Sequence, residues 1–193
     1  MSVAAVVLAA GAGSRFSAED PSAARGPKLL VELRGRPVVS WAVLSAVEAG
    51  LDEVVVVSGA VDLRDVVPKG VTLLVNDQWQ QGQASSLQCG LIWCASRGHD
   101  AAVIGLGDSP GLVAQSWRAV ADAPGGPIVF ATYDGQRGHP VRLDKRAWVH
   151  MPTVGDEGAR NIARDHPEWV SEVPCGGTSD DIDVPEDLER WRH

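Results

Sequence analysis

Six short stretches of this 193-residue chain concentrate side chains able to handle phosphate, a metal ion or a polar heterocycle. The first is Leu8-Ala9-Ala10-Gly11-Ala12-Gly13-Ser14-Arg15, where an apolar run empties into nearly bare backbone and then a guanidinium. Small side chains let successive N–H groups converge on phosphate oxygens, and a cation close by neutralises the charge. Lys28 is the next candidate cation. Of the 17 basic residues only those at 28, 69 and 145 are lysines, so a lysine beside such a loop stands out. The pattern is not GxGxxG, because Ser14, Arg15 and Phe16 follow Gly13 with no third glycine, and GxxxxGK[ST] has no match. Taken alone, the loop is equally compatible with a plain tight turn.

Carboxylates mark two more stretches. Asp108 in "GLGDSPGL" (105–112) directly follows an apolar run. A carboxylate there can hold magnesium, which takes hard oxygens and keeps several waters; capping the next helix is the other use of Asp at such a place. "SDDIDVPEDL" (179–188) sets Asp180, Asp181 and Asp183 ahead of Pro185, Glu186 and Asp187. The last three are ordinary helix-start chemistry. The first three repel one another unless a cation arrives.

Polar clusters supply the remaining stretches. Residues 76–91 offer amides from Asn76 to Gln80 that can read a base edge, then Gly82, Ser85 and Ser86 at a helix start, where hydroxyls commonly cap. Residues 133–143 hold Arg137, Gly138, His139 and Pro140 just past a strand; a lone histidine is more often structural than chemical. Residues 154–162 place Asp156 and Arg160 in the predicted first turn of a helix. They can order that loop, or Arg160 can grip a phosphate bidentately.

The elements that must position these residues read as an alternation of strands and helices. Apolar runs at 3–9, 53–58, 71–75, 101–107 and 127–132 mostly lack polar alternation, as strands covered on both faces do. Helical patterns lie at 37–49, 61–66, 84–97, 111–121, 156–164 and 185–191. This βαβ rhythm predicts an α/β fold, three-layered and doubly wound about a mostly parallel sheet, as one domain spanning 1–193. Ligands bind such sheets beyond the carboxyl ends of the strands, which is where most of the stretches above fall. Segment 17–27, rich in small residues and proline, reads as a mobile surface loop.

Composition narrows the function classes. Apolar residues are 45% and charged residues 22% of the chain, a globular balance. A net charge of −8 argues against a general nucleic-acid or anionic-membrane surface, either of which needs a basic stripe. Cys89, Cys94 and Cys175 are odd in number and form no CxxC, so they read as packed hydrophobes in a reducing compartment. No signal-like or membrane-length apolar segment opens the chain, and a cytoplasmic location is expected. The seven tryptophans are widely spread and read as packing or surface.

Taken in order, the stretches resemble the nucleotidyltransferases of the molybdenum-cofactor type. That family opens with L-A-[AG]-G-x-[GS]-x-R-[MF] followed by a lysine, and Leu8 to Phe16 with Pro27-Lys28-Leu29-Leu30 supply both. Alanine at position 10 is similar to the molybdenum cofactor cytidylyltransferase branch. So are Gly135 to Val141 (G-x-R-G-H-P-V) and Gly155 to Arg160 (G-D-x-G-A-R). Gly82 to Leu91 and Asp181 to Leu188 fit two further family strings, and Asp108 falls in [GA]-D-[MQ]-P with Ser109 as a departure. Two other departures are Gln88, where the family often has a cation, and the longer separation of Arg15 from Lys28.

The resemblance implies an enzyme moving CMP from CTP to the phosphate of molybdopterin or its molybdenum-loaded form. Arg15, Lys28 and Asp108 would be catalytic. The nucleotide would lie on Leu8 to Arg15, Lys28, Asn76, Gly82, Ser85, Ser86 and Asp108. Asp108 and Asp183 would hold Mg2+, with Asp181 in reserve. Arg137, Gly138, His139, Pro140, Asp156 and Arg160 would border the pterin, with His139 positioning substrate and no general base needed. Because segment 17–27 intervenes, the phosphate cation is Arg15, Arg25 or Lys28. A recipient molybdoenzyme would be a transient partner. Guanylyl or sugar-phosphate transfer, and a non-catalytic pterin carrier on the same fold, are the alternatives.

Overall fold

Strand β1 (Val3–Ala9) is wholly buried, and its alternate residues feed two different cores. Ala5, Val7 and Ala9 pack on one face with α2 (Val38–Glu48) and α4 (Ala114–Asp122), through Val39, Val43, Trp117 and Val120. Ala4, Val6 and Leu8 pack on the other face with Leu87 and Leu91 of α3 (Gln83–Ser96). Period-two side-chain alternation with both faces covered is what an unbroken apolar strand requires. The computed structural model describes residues 1–19, 26–156 and 158–191.

Among the described residues the central sheet has seven strands. Beside β1 they are β4 (Glu53–Ser58), β5 (Thr72–Val75), β6 (Ala101–Leu106), β7 (Ile128–Tyr133), β8 (Gln136–Asp144) and β9 (Val170–Pro174). Their order is β5-β4-β1-β6-β8-β7-β9, with β8 alone antiparallel to its neighbours. The fold is therefore the three-layer, mostly parallel architecture expected. Short elements complete it: α1 (Ser14–Ala18), a ribbon of β2 (Glu32–Leu33) and β3 (Arg36–Pro37), α5 (Lys145–Trp148), α6 (Ala159–Asp165) and α7 (Pro185–Trp191). Single 3-10 turns lie at Lys28–Leu30, Trp79–Gln81 and Pro167–Trp169. No helix among the described residues is long and apolar enough to cross a membrane.

A third, smaller core has the greatest bearing on the site. Phe16, Val31, Leu33, Val38, Ile182 and Leu188 bury one another, with Trp41 and Trp191 at the margin. It gathers α1, the residues around Lys28, the β2–β3 ribbon and the C-terminal segment against the rim where the parallel strands end. Two arginines secure the helices beneath. Arg118 donates to the carbonyls of Ala49 and Gly50 at the end of α2, and Arg142 to those of Val120, Ala121 and Ala123 at the end of α4.

Several predicted bounds need correction. Residues 61–66 form turns rather than a helix: Asp62 accepts the Arg64 N–H, and Pro68 stops the chain before a second helical turn. The stretch 133–143, which carries no element in the sequence pattern, is largely β8. Asp134 and Gly135, at φ of 49° and 78°, form the two-residue hairpin turn that returns it along β7. Helix α6 begins at Ala159 instead of 156. Of the predicted mobile loop, residues 17 and 18 close α1, and the middle of it, Arg25 included, lies outside the described residues.

Candidate active site

The site forms where β1 and β6 end. After Ala9 the chain runs through Ala10 to Gly13, whose φ of 66° is the left-handed conformation that favours glycine. A Cβ on Gly13 would stand 2.8 Å from Cβ of Lys28, so the lysine's aliphatic stem lies against the glycine backbone. Phe16, fully buried, anchors the far side of the loop and leaves Arg15 at the surface.

Asp108 stands two residues past β6. Its backbone carbonyl accepts the N–H of Ile182 (2.9 Å), and Ile182 is itself fully buried in the third core. That bond carries the neighbouring Asp183 to the same rim across a long sequence separation. Asp187 fixes the turn from its other end, its carboxylate accepting the N–H groups of Asp183 (2.9 Å) and Val184 (3.0 Å). The two aspartates then meet one cation. Lys28 Nζ lies 2.6 Å from Asp108 Oδ2 and 3.5 Å from Asp183 Oδ1, with the lysine side chain only 9% exposed. Arg15 reaches the other oxygen of Asp183 at 3.0 Å. Two carboxylates focused on one positive centre are a fitting donor set for a hard divalent ion. Among the described residues no group of three or more His, Cys, Asp or Glu gathers for metal binding. An ion on this pair would therefore complete its shell with phosphate oxygens and water.

Asp181 lines the neighbouring cavity rather than the one that holds Lys28, Asp108 and Asp183. Partial burial, then the neighbouring Asp108 carboxylate, pushes its carboxyl above the usual range.

Two cavities of about 520 Å³ each open along this rim and share Leu8, Gln83, Leu106 and Asp156. The first is walled by Ala10 to Arg15, Lys28, Gly82, Ser86, Asp108 and Asp183. It also takes in Trp79 and Gln80, which in the sequence read as packing and as part of a general amide run. The usable signal for both was position, since they follow the carboxyl end of β5 on the same rim.

Three predicted nucleotide contacts do not line this cavity. Ala9 turns into the core on the opposite face. Asn76 is buried, and its amide is consumed locally: Nδ2 donates to Ser85 and Ser86 (2.9 and 3.0 Å), and Oδ1 accepts the Gln78 N–H. Ser85 in turn donates to backbone carbonyls at Gln78 and Gly82 instead of capping its helix through a side-chain bond. Together Asn76 and Ser85 brace the segment that carries Trp79 and Gly82.

Gly82, at a φ of 101°, brings in the stretch around Asp156. A Cβ there would lie 2.5 Å from the Gly155 carbonyl oxygen, so the loops touch backbone to backbone. Ala84 N–H donates to Gly155 O, Gly155 N–H to Gln81 O, and Gln83 N–H to the Asp156 carboxylate. Asp156 thus serves the start of α3 while bordering both cavities, which is the loop-ordering role open to it from sequence. Gln88, the departure from the family's cation, donates to the carbonyls of Met151 and Pro152 and ties down the same loop.

The second cavity carries Arg137, Gly138, His139, Arg160 and Arg164 with Phe130 and Ser179. Between Phe130 and Ala131 the pairing of β7 with β8 skips from Val141 to Gly138, bulging out His139 and Pro140. His139 therefore borders the cavity, whereas Pro140 is buried and does not. Burial lowers the His139 pKa below its ordinary value, with Arg160 acting in the same direction; the Ile104 carbonyl and Asp108 oppose the shift. The ring is neutral, and Nδ1, 3.2 Å from Ile104 O, carries the proton because a carbonyl can only accept. Arg137 is held by Glu172 at 2.6 Å and lies over the Phe130 ring.

Away from the cleft, the three cysteines are unpaired, and burial pushes the Cys94 thiol up to about 12. That suits inert packed groups.

Comparison with known proteins agrees with this architecture. Residues 5–170 match the MobA-like NTP transferase domain. The chain is 33% identical to nicotine blue oxidoreductase of Paenarthrobacter nicotinovorans, covering 97% of this chain and 95% of that protein. It is 27% identical to the purine catabolism protein PucB of Bacillus subtilis, over 97% and 94% of the two chains. Among solved structures it superposes on Rv0371c of Mycobacterium tuberculosis with a TM-score of 0.83 at 26% identity, covering 99% and 97% of the chains. That mycobacterial protein has also been solved in complex with manganese, a structure matched at a TM-score of 0.78, 24% identity and 99% and 98% coverage.

Proposed function

The chain belongs to the family of MobA-like NTP transferase domains, and from that premise we propose that it moves CMP from CTP to the terminal phosphate of molybdopterin or of its molybdenum-loaded form. The observation that carries the reading is Lys28 gripping Asp108 and Asp183 beside a bare glycine loop at the strand ends. Phosphate, base and second substrate have room in two joined cavities, and the second is lined with arginines and a neutral histidine.

In this mechanism the substrate phosphate attacks the α-phosphorus of CTP in line, a new P–O bond forms, and pyrophosphate leaves. The nucleophile is already an anion, so the chain supplies no general base. Backbone N–H groups of Ala10 to Gly13 cradle the triphosphate, and Arg15 and Lys28 offset its charge as the transition state spreads it. Mg2+, held by Asp108 and Asp183, would contribute neutralisation of the phosphate oxygens. A manganese complex of a structural relative supports divalent-metal use on this fold. His139 accepts a hydrogen bond from the second substrate at Nε2, while Arg137 and Arg160 fix its anionic part.

Incubation with Mg2+, molybdopterin and each NTP in turn, followed by pyrophosphate assay, tests the reading. Release with CTP above all others is expected. Preference for GTP assigns a guanylyltransferase, and binding of the pterin without pyrophosphate release assigns a carrier.

One observation favours a second reading: the relative 33% identical to this chain is named an oxidoreductase. The first cavity would then hold a redox nucleotide and the second a nitrogen heteroaromatic to be reduced. Loss of reduced-nicotinamide absorbance in the presence of such an acceptor, with no pyrophosphate chemistry, would establish it.

A further inference from the structure

We infer that Lys28, assisted by Arg15, is an internal counter-cation that keeps the Asp108–Asp183 pair closed to a divalent ion until a triphosphate arrives. The inference rests on the proposed metal role of those two aspartates and adds an obligatory order of binding to it. Three of the pair's four carboxylate oxygens already face a cation of the chain: Asp108 Oδ2 and Asp183 Oδ1 face Lys28, and Asp183 Oδ2 faces Arg15. The ammonium sits at the point toward which both carboxylates converge, so a bare ion and Lys28 compete for one position.

The competition is weighted by burial. Lys28 is nearly enclosed, its stem packed on Gly13, and a buried ammonium is tolerated only while its charge is matched. An ion entering alone would eject the ammonium from its two partners and leave it beside added positive charge. A triphosphate removes that obstacle. The glycine loop that would hold it adjoins Lys28, whose flexible stem and three donors can turn from carboxylate to phosphate without leaving the cleft. Arg15, 78% exposed, exchanges even more freely. Both cations then change partners, and both carboxylates become available together with the incoming phosphate oxygens.

Mn2+ alone is the probe, its binding followed by loss of the free-ion electron paramagnetic resonance signal. The full chain is titrated with and without the non-transferable analogue cytidine α,β-methylene triphosphate, against protein-free controls for the analogue's own affinity. Wild-type protein is expected to bind Mn2+ at least tenfold more tightly with the analogue than without it. Lys28→Met and Lys28→Gln are expected to bind bare Mn2+ at least tenfold more tightly than wild type, and to gain more in thermal midpoint on Mn2+ addition. Equal wild-type affinity with and without the analogue overturns the inference even if neither variant folds. Variants no tighter than wild type for bare Mn2+ overturn it as well. Asp108→Asn separates the two levels. If it binds Mn2+ and analogue as wild type does, the metal reading itself fails; if it loses that binding while the Lys28 variants do not tighten, only the order of binding is lost.

Discussion

Ile182 is the residue through which packing should control the chemistry, and its truncation makes a graded test. The side chain is fully buried among Phe16, Val31, Leu33, Val38 and Leu188, and its N–H is the bond that ties Asp183 to the Asp108 loop. Ile182→Val removes one methylene and should cost about 1 kcal/mol; Ile182→Ala leaves a cavity in a core too small to collapse around it and should cost about 3 kcal/mol. For a chain of this size, those losses correspond to thermal midpoints lower by roughly 3 °C and 6–12 °C. The functional effect should be less linear. A displacement of about 1 Å at Asp183 can cost on the order of 100-fold in rate. Ile182→Ala should therefore lose at least tenfold in kcat well below its melting temperature, while Ile182→Val stays near wild type. Chemical denaturation and pyrophosphate release measured on the same preparations provide both readouts. A destabilised Ile182→Ala with undiminished kcat would show that the third core does not position Asp183.

Other predictions probe separate parts of the account. Burial alone would raise the Glu53 carboxyl, but hydrogen bonds from His99, Trp93 and Thr72 outweigh it and hold the group at about 2 against an ordinary 4.5. Its contribution to stability is therefore complete above pH 4.5 and is lost as pH falls from there toward 2. After allowance for solvent at the amino end of β4 it amounts to about 2 kcal/mol, and Glu53→Gln should flatten this part of the stability–pH curve in denaturant titrations. Ser109 Oγ is buried without a hydrogen-bond partner among the described residues, so Ser109→Ala should raise stability by about 1 kcal/mol; a loss instead would reveal a role for the hydroxyl. Arg15→Ala should leave the melting temperature within experimental scatter and weaken CTP binding about tenfold, the value of one charge-assisted hydrogen bond. Unchanged affinity by calorimetry would move the phosphate role to Lys28 or Arg25.

Much of the sheet was legible because it is buried on both faces. Val3–Ala9, residues 54–57 within Glu53–Ser58, and Ala101–Leu106 are unbroken apolar runs, and no other element explains them. Strand β8 was not legible in that way: it lies antiparallel, carries Arg137, His139 and Arg142, and is broken by a bulge. Its one local signal, Asp134-Gly135, is a hairpin turn in miniature and was readable. The glycine loop and Asp108 stood out because the ends of parallel strands are where such residues have little structural purpose. Asn76, Ser85 and Pro140 lie off both cavities for the opposite reason. Their types suit ligand contact, but pairing within a loop and packing within a bulge depend on tertiary neighbours that no local spacing reveals. The role of Ile182 was equally hidden, since an isolated apolar residue between two aspartates carries no period.

The most direct test of the central claim is a crystal structure of the protein with Mn2+ and the methylene analogue of CTP, with the ion located by its anomalous scattering. One peak is expected within bonding distance of both Asp108 and Asp183, in contact with the nucleotide phosphates, with Lys28 turned from the carboxylates onto a phosphate oxygen. A nucleotide seated on the glycine loop with the ion bound elsewhere, or with Lys28 still between the two aspartates, would contradict it.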